Sequence, residues 1–188
     1  MQLQEAIKSR KSVRKFLSKK ADWRKIIRAI DLARYAPMAG NFQTIKFILV
    51  DEKDKIKELQ EASQQEFVGQ VDYVIVAVSD YEYLKKMYSD YAEIYGRQQA
   101  GAAIETLLLA IHDMGMASCW VGWFDHNEVR RVLRIPEDKI IEAILPVGFE
   151  LKQNLKPVKK ADLENTIFFN KYGNKFKEGK EKVSNEGS

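Results

Sequence analysis

Cysteine and histidine are scarce in this sequence of 188 residues, which contains one cysteine and two histidines. A single cysteine excludes an internal disulfide framework and any metal or iron–sulfur site made of several thiolates. Because Cys119 lies in an apolar stretch, it fits a small core residue better than a reactive thiol. His112 and His126 have no partner at the spacing of zinc ligands, so the sequence predicts no metal site. A hydrolase built on Cys119 and His126 stays open as a distant alternative.

Glycine-rich nucleotide-binding motifs are also missing. No G-x-G-x-x-G motif follows a predicted strand, which argues against a dinucleotide-binding βαβ unit. Gly96 and Gly101 have the spacing of a phosphate-binding loop, but Ala102 and Ala103 stand where that loop requires lysine and a hydroxyl. No side chain stands out as a reaction centre, and the sequence therefore points to a bound cofactor as the reactive group.

Long hydrophobic runs and a strong charge of one sign are absent as well. The most apolar segment, residues 100–114, is shorter than the roughly 20 residues that cross a membrane. The N-terminus lacks the pattern of a secretion signal. The net charge is only +4, and the basic residues are scattered along the chain, which argues against a nucleic-acid groove. We expect a cytoplasmic protein that binds neither membranes nor nucleic acid.

The centre of the chain is its most apolar part. Polar positions within residues 100–114 recur two helical turns apart: Glu105, Thr106, His112 and Asp113. This spacing predicts a helix that is buried on most of its circumference. Gly115 supplies the left-handed residue that ends a helix, and the apolar residues 116–121 fit an interior strand. A buried helix that leads into a buried strand predicts an α+β or α/β domain.

Apolar periodicity and capping residues predict the remaining elements. The expected helices are one that Asp22 caps and that ends before Pro37, one at 51–65, a helix or helical hairpin at 80–96, and one that begins at Asp125 or His126. The expected strands are 46–50, 73–78 and 140–147, with Pro146 at a sheet edge or bulge. No linker or repeat divides the chain, so we expect one domain at 1–174 and a disordered tail at 175–188.

Two loops have compositions that suit a ligand. Residues 9–16 contain four cations and two hydroxyls, as expected either for a solvated basic turn or for an anion site that holds phosphate oxygens. Residues 36–43 contain small side chains and amides. Such a loop is either an ordinary turn or a place where the backbone approaches a flat ligand closely.

Four stretches together resemble the FMN-dependent nitroreductases. They are Ile7-x-x-Arg10-Lys11-Ser12-Val13-Arg14-Lys15-Phe16, Ala36-Pro37-Met38-Ala39-Gly40-Asn41-Phe42-Gln43, Gly115-Met116-Ala117-Ser118-Cys119-Trp120-Val121-Gly122 and Leu145-Pro146-Val147-Gly148-Phe149. They follow the family's order over nearly the whole chain up to about Gly173. The resemblance implies an α+β, three-layer α-β-α fold with a mixed, mostly antiparallel sheet, assembled as an intertwined homodimer with two flavin sites at the interface.

The resemblance also implies which residues bind FMN. The phosphate and ribityl end would be held by Arg10, Lys11, Ser12 and Arg14, joined by Lys159 or Lys160. The ring would lie against the other subunit's Pro37, Met38, Ala39, Asn41 and Gln43. Gly122 and Trp123 would approach flavin N5 and O4, and Gln64 would reach the pyrimidine edge. No side chain is implied to be catalytic, because flavin N5 is the reactive centre.

The implied activity is a ping-pong oxidoreduction, in which NADH or NADPH reduces FMN and a nitroaromatic, a quinone or another flavin is then reduced. The alternatives are another flavin chemistry, such as reductive dehalogenation or flavin breakdown, and a non-catalytic FMN-binding dimer. The sequence departs from the common family pattern at Met38, where many members have serine. Thr44 and Ile45 also replace a frequent Pro-Trp pair.

Overall fold

A four-stranded antiparallel sheet forms the centre of the first of two units in the chain. The computed structural model describes residues 1–152 and 159–177. Contacts between Cα atoms divide the chain into a unit that ends at Leu151 and a unit that begins at Lys152. The single domain expected at 1–174 therefore stays a prediction, and the expected tail lies outside the described residues from position 178 onward.

The strands of the first unit are β1 (Ile45–Val50), β2 (Tyr73–Ser79), β3 (Ala117–Ser118) and β4 (Ile140–Gly148). Their order in the sheet is β1-β2-β4-β3, and each neighbouring pair is antiparallel. All seven residues of β2 are buried, as its uninterrupted apolar run predicts for a strand covered on both faces.

The described residues of the first unit form six α-helices: α1 (Leu3–Ser9), α2 (Trp23–Ala33), α3 (Lys53–Ser63), α4 (Glu82–Tyr88), α5 (Ala92–Asp113) and α6 (His126–Leu133). One core layer joins α2 and α5 to one face of the sheet, through residues such as Ile26, Leu107 and Leu145. A second core layer joins α3 and α6 to the opposite face, through residues such as Leu59 and Val129. The predicted three-layer α+β architecture is confirmed.

The predicted capping residues are also confirmed. The Asp22 carboxylate accepts a hydrogen bond from the N–H of Arg24 at the start of α2, and Asp125 caps α6 in the same way. Gly115, with φ +77°, ends α5. The helix α5 is 22 residues long because it begins at Ala92, eight positions before the first residue that its apolar composition indicated. No helix in the described part of the chain combines the length and apolarity that a membrane crossing requires.

Two expectations about the sheet are wrong in detail. The strand β3 covers two residues, not 116–121, and Pro146 lies inside β4, away from the bulge between Ala77 and Val78. The position of Pro146 explains why β3 is short. Val121 and Ile144 exchange backbone hydrogen bonds, and in that register the next hydrogen-bonded pair would be Cys119 with Pro146. Proline has no N–H, so the ladder between β3 and β4 is interrupted there.

Candidate functional site

The basic loop, residues 10–16, runs beside β3 at the end of the sheet where β4 finishes. The Val13 N–H donates to the Ser118 carbonyl at 3.0 Å, and Phe16 forms an antiparallel bridge with Glu150. The side chains of Val13 and Phe16 are both buried. These two apolar anchors and the backbone bonds fix the loop, which leaves its polar side chains free to project outward.

Four of the predicted site residues belong to this loop. Lys11, Ser12 and Arg14 are exposed, whereas Arg10 is half-buried. Arg10 Nε lies 3.3 Å from a carboxylate oxygen of Glu105 on α5, and Lys11 Nζ lies 2.7 Å from Glu150. Arg14 has no ion-pair partner within the described residues, so its guanidinium is available for an anionic ligand.

Two side chains of β3 and its continuation lie under the basic loop. Burial raises the pKa of the Cys119 thiol, while Arg14, Ser12 and Arg10 act in the opposite direction because they lie close to it. Cys119 is only 2% exposed, which agrees with the interpretation of a core residue. The buried Ser118 hydroxyl makes no hydrogen bond to the described residues.

The segment after β3 brings further predicted residues to the same edge of the sheet. Gly122 and Trp123 are exposed, the latter at 79%. A methyl group added at Gly122 would meet no atom closer than 3.9 Å, so the backbone here is open to a ligand. The Asp125 N–H donates to the Ala62 carbonyl at 2.8 Å, which ties this segment to the end of α3. Gln64, exposed and left-handed at φ +53°, caps that helix.

The proline loop, residues 37–43, lies at the opposite end of the sheet. Its Ala39 and Phe42 pack against the same buried cluster as Ile140, the first residue of β4, whereas Phe16 of the basic loop lies against Gly148 at the other end of that strand. At about 3.3 Å per residue, the length of β4 places the two loops about 26 Å apart in one chain. One copy of the chain therefore does not bring the two predicted halves of the flavin site together.

The other members of the proline loop are placed as follows: Pro37, Asn41 and Gln43 are exposed, and Met38 is partly buried. Beside this loop lies a cleft of about 530 Å³. It is lined by Asn41, Phe42, Gln43, Thr44, Lys46, Asp80, Glu82, Tyr83 and Lys86. The rings of Phe42 and Tyr83 are 4.4 Å apart between centroids, which gives the cleft an aromatic wall.

Two predicted residues lie in the second unit. Lys159 and Lys160 are exposed there, and their role toward a phosphate stays a prediction. Within the described residues, no group of three or more acidic, histidine or cysteine side chains is arranged to hold a metal ion.

Sequence reasoning missed several residues that support the two loops. Gln70 accepts a hydrogen bond from the Phe16 N–H at 3.2 Å, and Glu105 pairs with Arg10. Gln99, on α5, accepts a hydrogen bond from the Ala39 N–H at 3.1 Å. Glu105 was recognised as part of the polar stripe of α5, but its partner lies far away in sequence. No local pattern marks Gln70 or Gln99.

Comparisons with known proteins identify the family of this chain. The family model described as the nitroreductase family matches residues 7–67 and 58–149. A protein of Archaeoglobus fulgidus with the provisional name NADH dehydrogenase/NAD(P)H nitroreductase is 28% identical over 148 residues, which cover 76% of this chain and 82% of that protein. An iodotyrosine deiodinase of Thermotoga neapolitana is 28% identical over 163 residues, which cover 78% of this chain and 88% of that protein.

The fold leads to the same family. The solved structure of an FMN-dependent nitroreductase from Clostridium difficile R20291 has a TM-score of 0.76 to this chain at 21% identity, and the match covers 90% of this chain and 99% of that one. At this identity the likeness shows a shared fold. Because the family model extends over most of the chain, this protein belongs to the nitroreductase family.

Proposed function

We propose that this protein is an FMN-dependent oxidoreductase that takes reducing equivalents from NADH or NADPH and acts as a homodimer. One observation carries the proposal. The hydrogen bond from Val13 to Ser118 holds the cations of the basic loop a few residues from the open backbone of Gly122 and Trp123. A cluster of cations next to exposed backbone at one edge of the sheet suits a ligand with an anionic tail and a flat ring.

The donor set of the basic loop fits the phosphate of FMN. The guanidinium groups of Arg10 and Arg14 offer paired N–H donors, and Lys11 and Ser12 add an ammonium and a hydroxyl. When bound, FMN supplies a ring that accepts hydride and passes electrons to an acceptor. The cations of this chain would hold FMN by its phosphate and so orient the ring against the open backbone of Gly122.

The separation of the two loops supports the homodimer. About 26 Å of β4 lie between the basic loop and the proline loop, which is farther than one FMN molecule reaches. A second copy can supply the proline loop to the first copy's basic loop. Exposed apolar side chains on and next to α1 and α2 offer a surface for that contact: Leu3, Ile7, Trp23, Ile27 and Tyr35.

Small aromatic and quinone acceptors fit the cleft beside the proline loop. Phe42 and Tyr83 form its aromatic wall, and the side chains of Asn41 and Gln43 line the same cleft. A flat ring could stack on the wall while the amides bind its oxygens. Nitroaromatics, quinones and free flavins share this shape.

The test is direct. Dialysed recombinant protein should be yellow, and NADH or NADPH should bleach its flavin absorbance in the absence of oxygen. Adding a nitroaromatic or a quinone should restore the absorbance, and sedimentation should give the mass of a dimer. Colourless protein that also fails to bind added FMN contradicts the proposal, and so does a stable monomer.

Reductive dehalogenation is a second candidate, favoured by the 28% identity to the Thermotoga neapolitana iodotyrosine deiodinase. It would use the same cofactor and the same two loops, so flavin binding does not separate the candidates. A product assay does: dithionite-reduced protein mixed with an iodophenol should release iodide only if dehalogenation is the activity. Flavin that binds but is not reduced by NADH or NADPH would instead favour a non-catalytic FMN-binding dimer.

A further inference from the structure

Gln99 is one of the few polar residues that the fold buries completely. It lies on α5 and is 4% exposed. Both ends of its amide are used: Oε1 accepts from the Ala39 N–H at 3.1 Å, and Nε2 donates to Oγ1 of Thr44. Thr44 is itself 4% exposed and directly precedes β1. We name this pair of hydrogen bonds the Gln99 bridge.

The Gln99 bridge contacts both ends of a strained turn. Between Ala39 and Thr44, Gly40 and Asn41 have φ values of +58° and +60°. The left-handed region favours glycine, and asparagine is one of the few other residues that adopt it. The turn's own backbone bonds, such as the one from the Phe42 N–H to Ala39, are local. The Thr44 end is held by the hydrogen bond from the Asp80 N–H to its carbonyl at 2.9 Å, and Gln99 attaches both ends to a helix.

The helix α5 is a rigid element, because residues that follow Gln99 in it belong to the core. Ala100 and Ala103 are buried against the sheet and α2. A buried amide with both partners satisfied specifies one arrangement, since loosening either end leaves a polar group unpaired inside the protein. Thr44 contributes through its hydroxyl, which accepts the hydrogen bond from Gln99.

We propose that Gln99 is a positioning residue, which holds the proline loop in the shape that faces the flavin. The link to the flavin rests on the proposed function, whereas the link to the loop does not. Two measurements therefore address the two parts of the inference separately.

The first measurement follows hydrogen exchange at the amides of residues 39–42 in the full-length protein without added flavin. In Gln99→Met, an apolar variant of similar size, both hydrogen bonds of the bridge are lost, and exchange should rise about tenfold at these amides, which corresponds to about 1.4 kcal/mol. Exchange in β2 should not change. Gln98→Met, at the exposed neighbouring position, should leave exchange as in the wild type. Unchanged exchange in Gln99→Met, or a rise that spreads over β2, overturns the inference.

The second measurement is the dissociation constant for FMN, determined by the quenching of flavin fluorescence at a temperature where every variant is folded. Gln99→Met and Thr44→Val should each weaken FMN binding about five- to tenfold. The double variant should bind only as weakly as the worse single variant, because both changes remove the same bridge. Thr44→Val also keeps the test available if Gln99→Met does not fold.

Additive losses in the double variant, or unchanged dissociation constants, overturn the positioning role toward the flavin. If wild-type protein binds no FMN, the proposed function fails. The exchange result then decides alone whether the Gln99 bridge shapes the loop.

Discussion

The two ends of the sheet hold their loops by different means. The basic loop is attached mainly through its backbone, by hydrogen bonds such as Val13 to Ser118 and Leu17 to Phe149. The proline loop is attached to α5 by one side chain, Gln99. A backbone attachment survives changes of side chain, and an attachment through one amide does not. The basic end therefore tolerates changes to its chemistry, whereas the attachment of the proline loop to α5 depends on Gln99.

The two loops also differ in the charge of their side chains. The basic loop carries Arg10, Lys11, Arg14 and Lys15, and residues 36–43 contain no charged side chain. Substitutions at the basic end should therefore alter recognition of an anion without altering stability. Substitutions at the other end should act through packing and loop shape. The following predictions test whether the basic loop acts through charge and the proline loop through packing.

The largest effect is expected when defects at both ends are combined in one mixed dimer. Arg14→Glu reverses the free charge of the basic loop. Gly40→Val distorts the proline loop, because a Cβ there would lie 2.6 Å from the Phe42 ring in a left-handed residue. Each homodimer should bind FMN about 100-fold more weakly than wild type, since it loses charge-assisted contacts or the loop itself. The mixed dimer, isolated with two affinity tags, should bind one FMN with wild-type affinity.

That outcome arises because one of the two sites in the mixed dimer combines the intact basic loop of one copy with the intact proline loop of the other. If both loops of a site came from the same copy, each site would carry one defect. A mixed dimer without a tight site would thus contradict the shared-site arrangement.

A neutral change at the basic end should separate phosphate recognition from ring recognition. Arg14→Gln removes a guanidinium with no ion-pair partner in the described residues, and should weaken FMN binding by about 30-fold. Riboflavin, which lacks the phosphate, should bind both proteins equally. Lys15→Gln is the matched control from the same loop, and isothermal titration gives all the constants. Equal losses for FMN and riboflavin would place the phosphate elsewhere.

Two glycine-to-alanine substitutions should have opposite consequences. At Gly96, a Cβ would lie 2.3 Å from the buried Tyr81 ring, so Gly96→Ala should lower the free energy of unfolding by about 1–3 kcal/mol. At Gly122 the space is open, so Gly122→Ala should keep the wild-type stability and lower only the affinity for FMN. Urea denaturation measures the stability of both. If Gly96→Ala and Gly122→Ala were equally stable, the residues around Tyr81 would have to repack without cost to accept the added methyl group.

The Cys119 thiol should be unreactive despite its cationic neighbours. Burial raises the pKa of its thiol, so the thiol stays protonated at neutral pH and should react with iodoacetamide far more slowly than it does in urea. Cys119→Ala should cost about 1 kcal/mol of stability and leave NADH oxidation unchanged. Lost activity with flavin still bound would instead favour the Cys119–His126 hydrolase.

The smallest effect concerns acid stability near the cleft. A hydrogen bond from Lys139 lowers the pKa of Asp80 below its ordinary value of 3.8. Because the folded pKa is lower than the unfolded one, this pair stabilises the protein above about pH 4 and loses its contribution as the pH falls through the folded pKa. Asp80 is partly exposed, so the effect should be about 0.2–1 kcal/mol. Urea midpoints of Asp80→Asn should differ from wild type at pH 6 and converge toward pH 3.

Much of the fold could be read from local patterns. The apolar run of β2 predicted a strand buried on both faces, and Asp22, Asp125 and Gly115 predicted helix ends that the structure confirms. The start of α5 was missed because its first two turns are half polar, and burial there depends on contacts such as Gly96 with Tyr81. The short β3 was missed because Pro146 acts on it from another strand.

The amino-acid sequence alone specifies which functional groups are present. They are an uncharged loop of small residues and amides and a basic loop with apolar anchors, and no side chain is suited to be a reaction centre. Periodicity and capping are local properties, so they determined the elements as well. Only the tertiary structure decided that the basic loop lies beside Ser118, that the proline loop lies a strand's length away, and that Gln99 holds it. These relations depend on contacts between residues distant in sequence, which packing of the two core layers brings together.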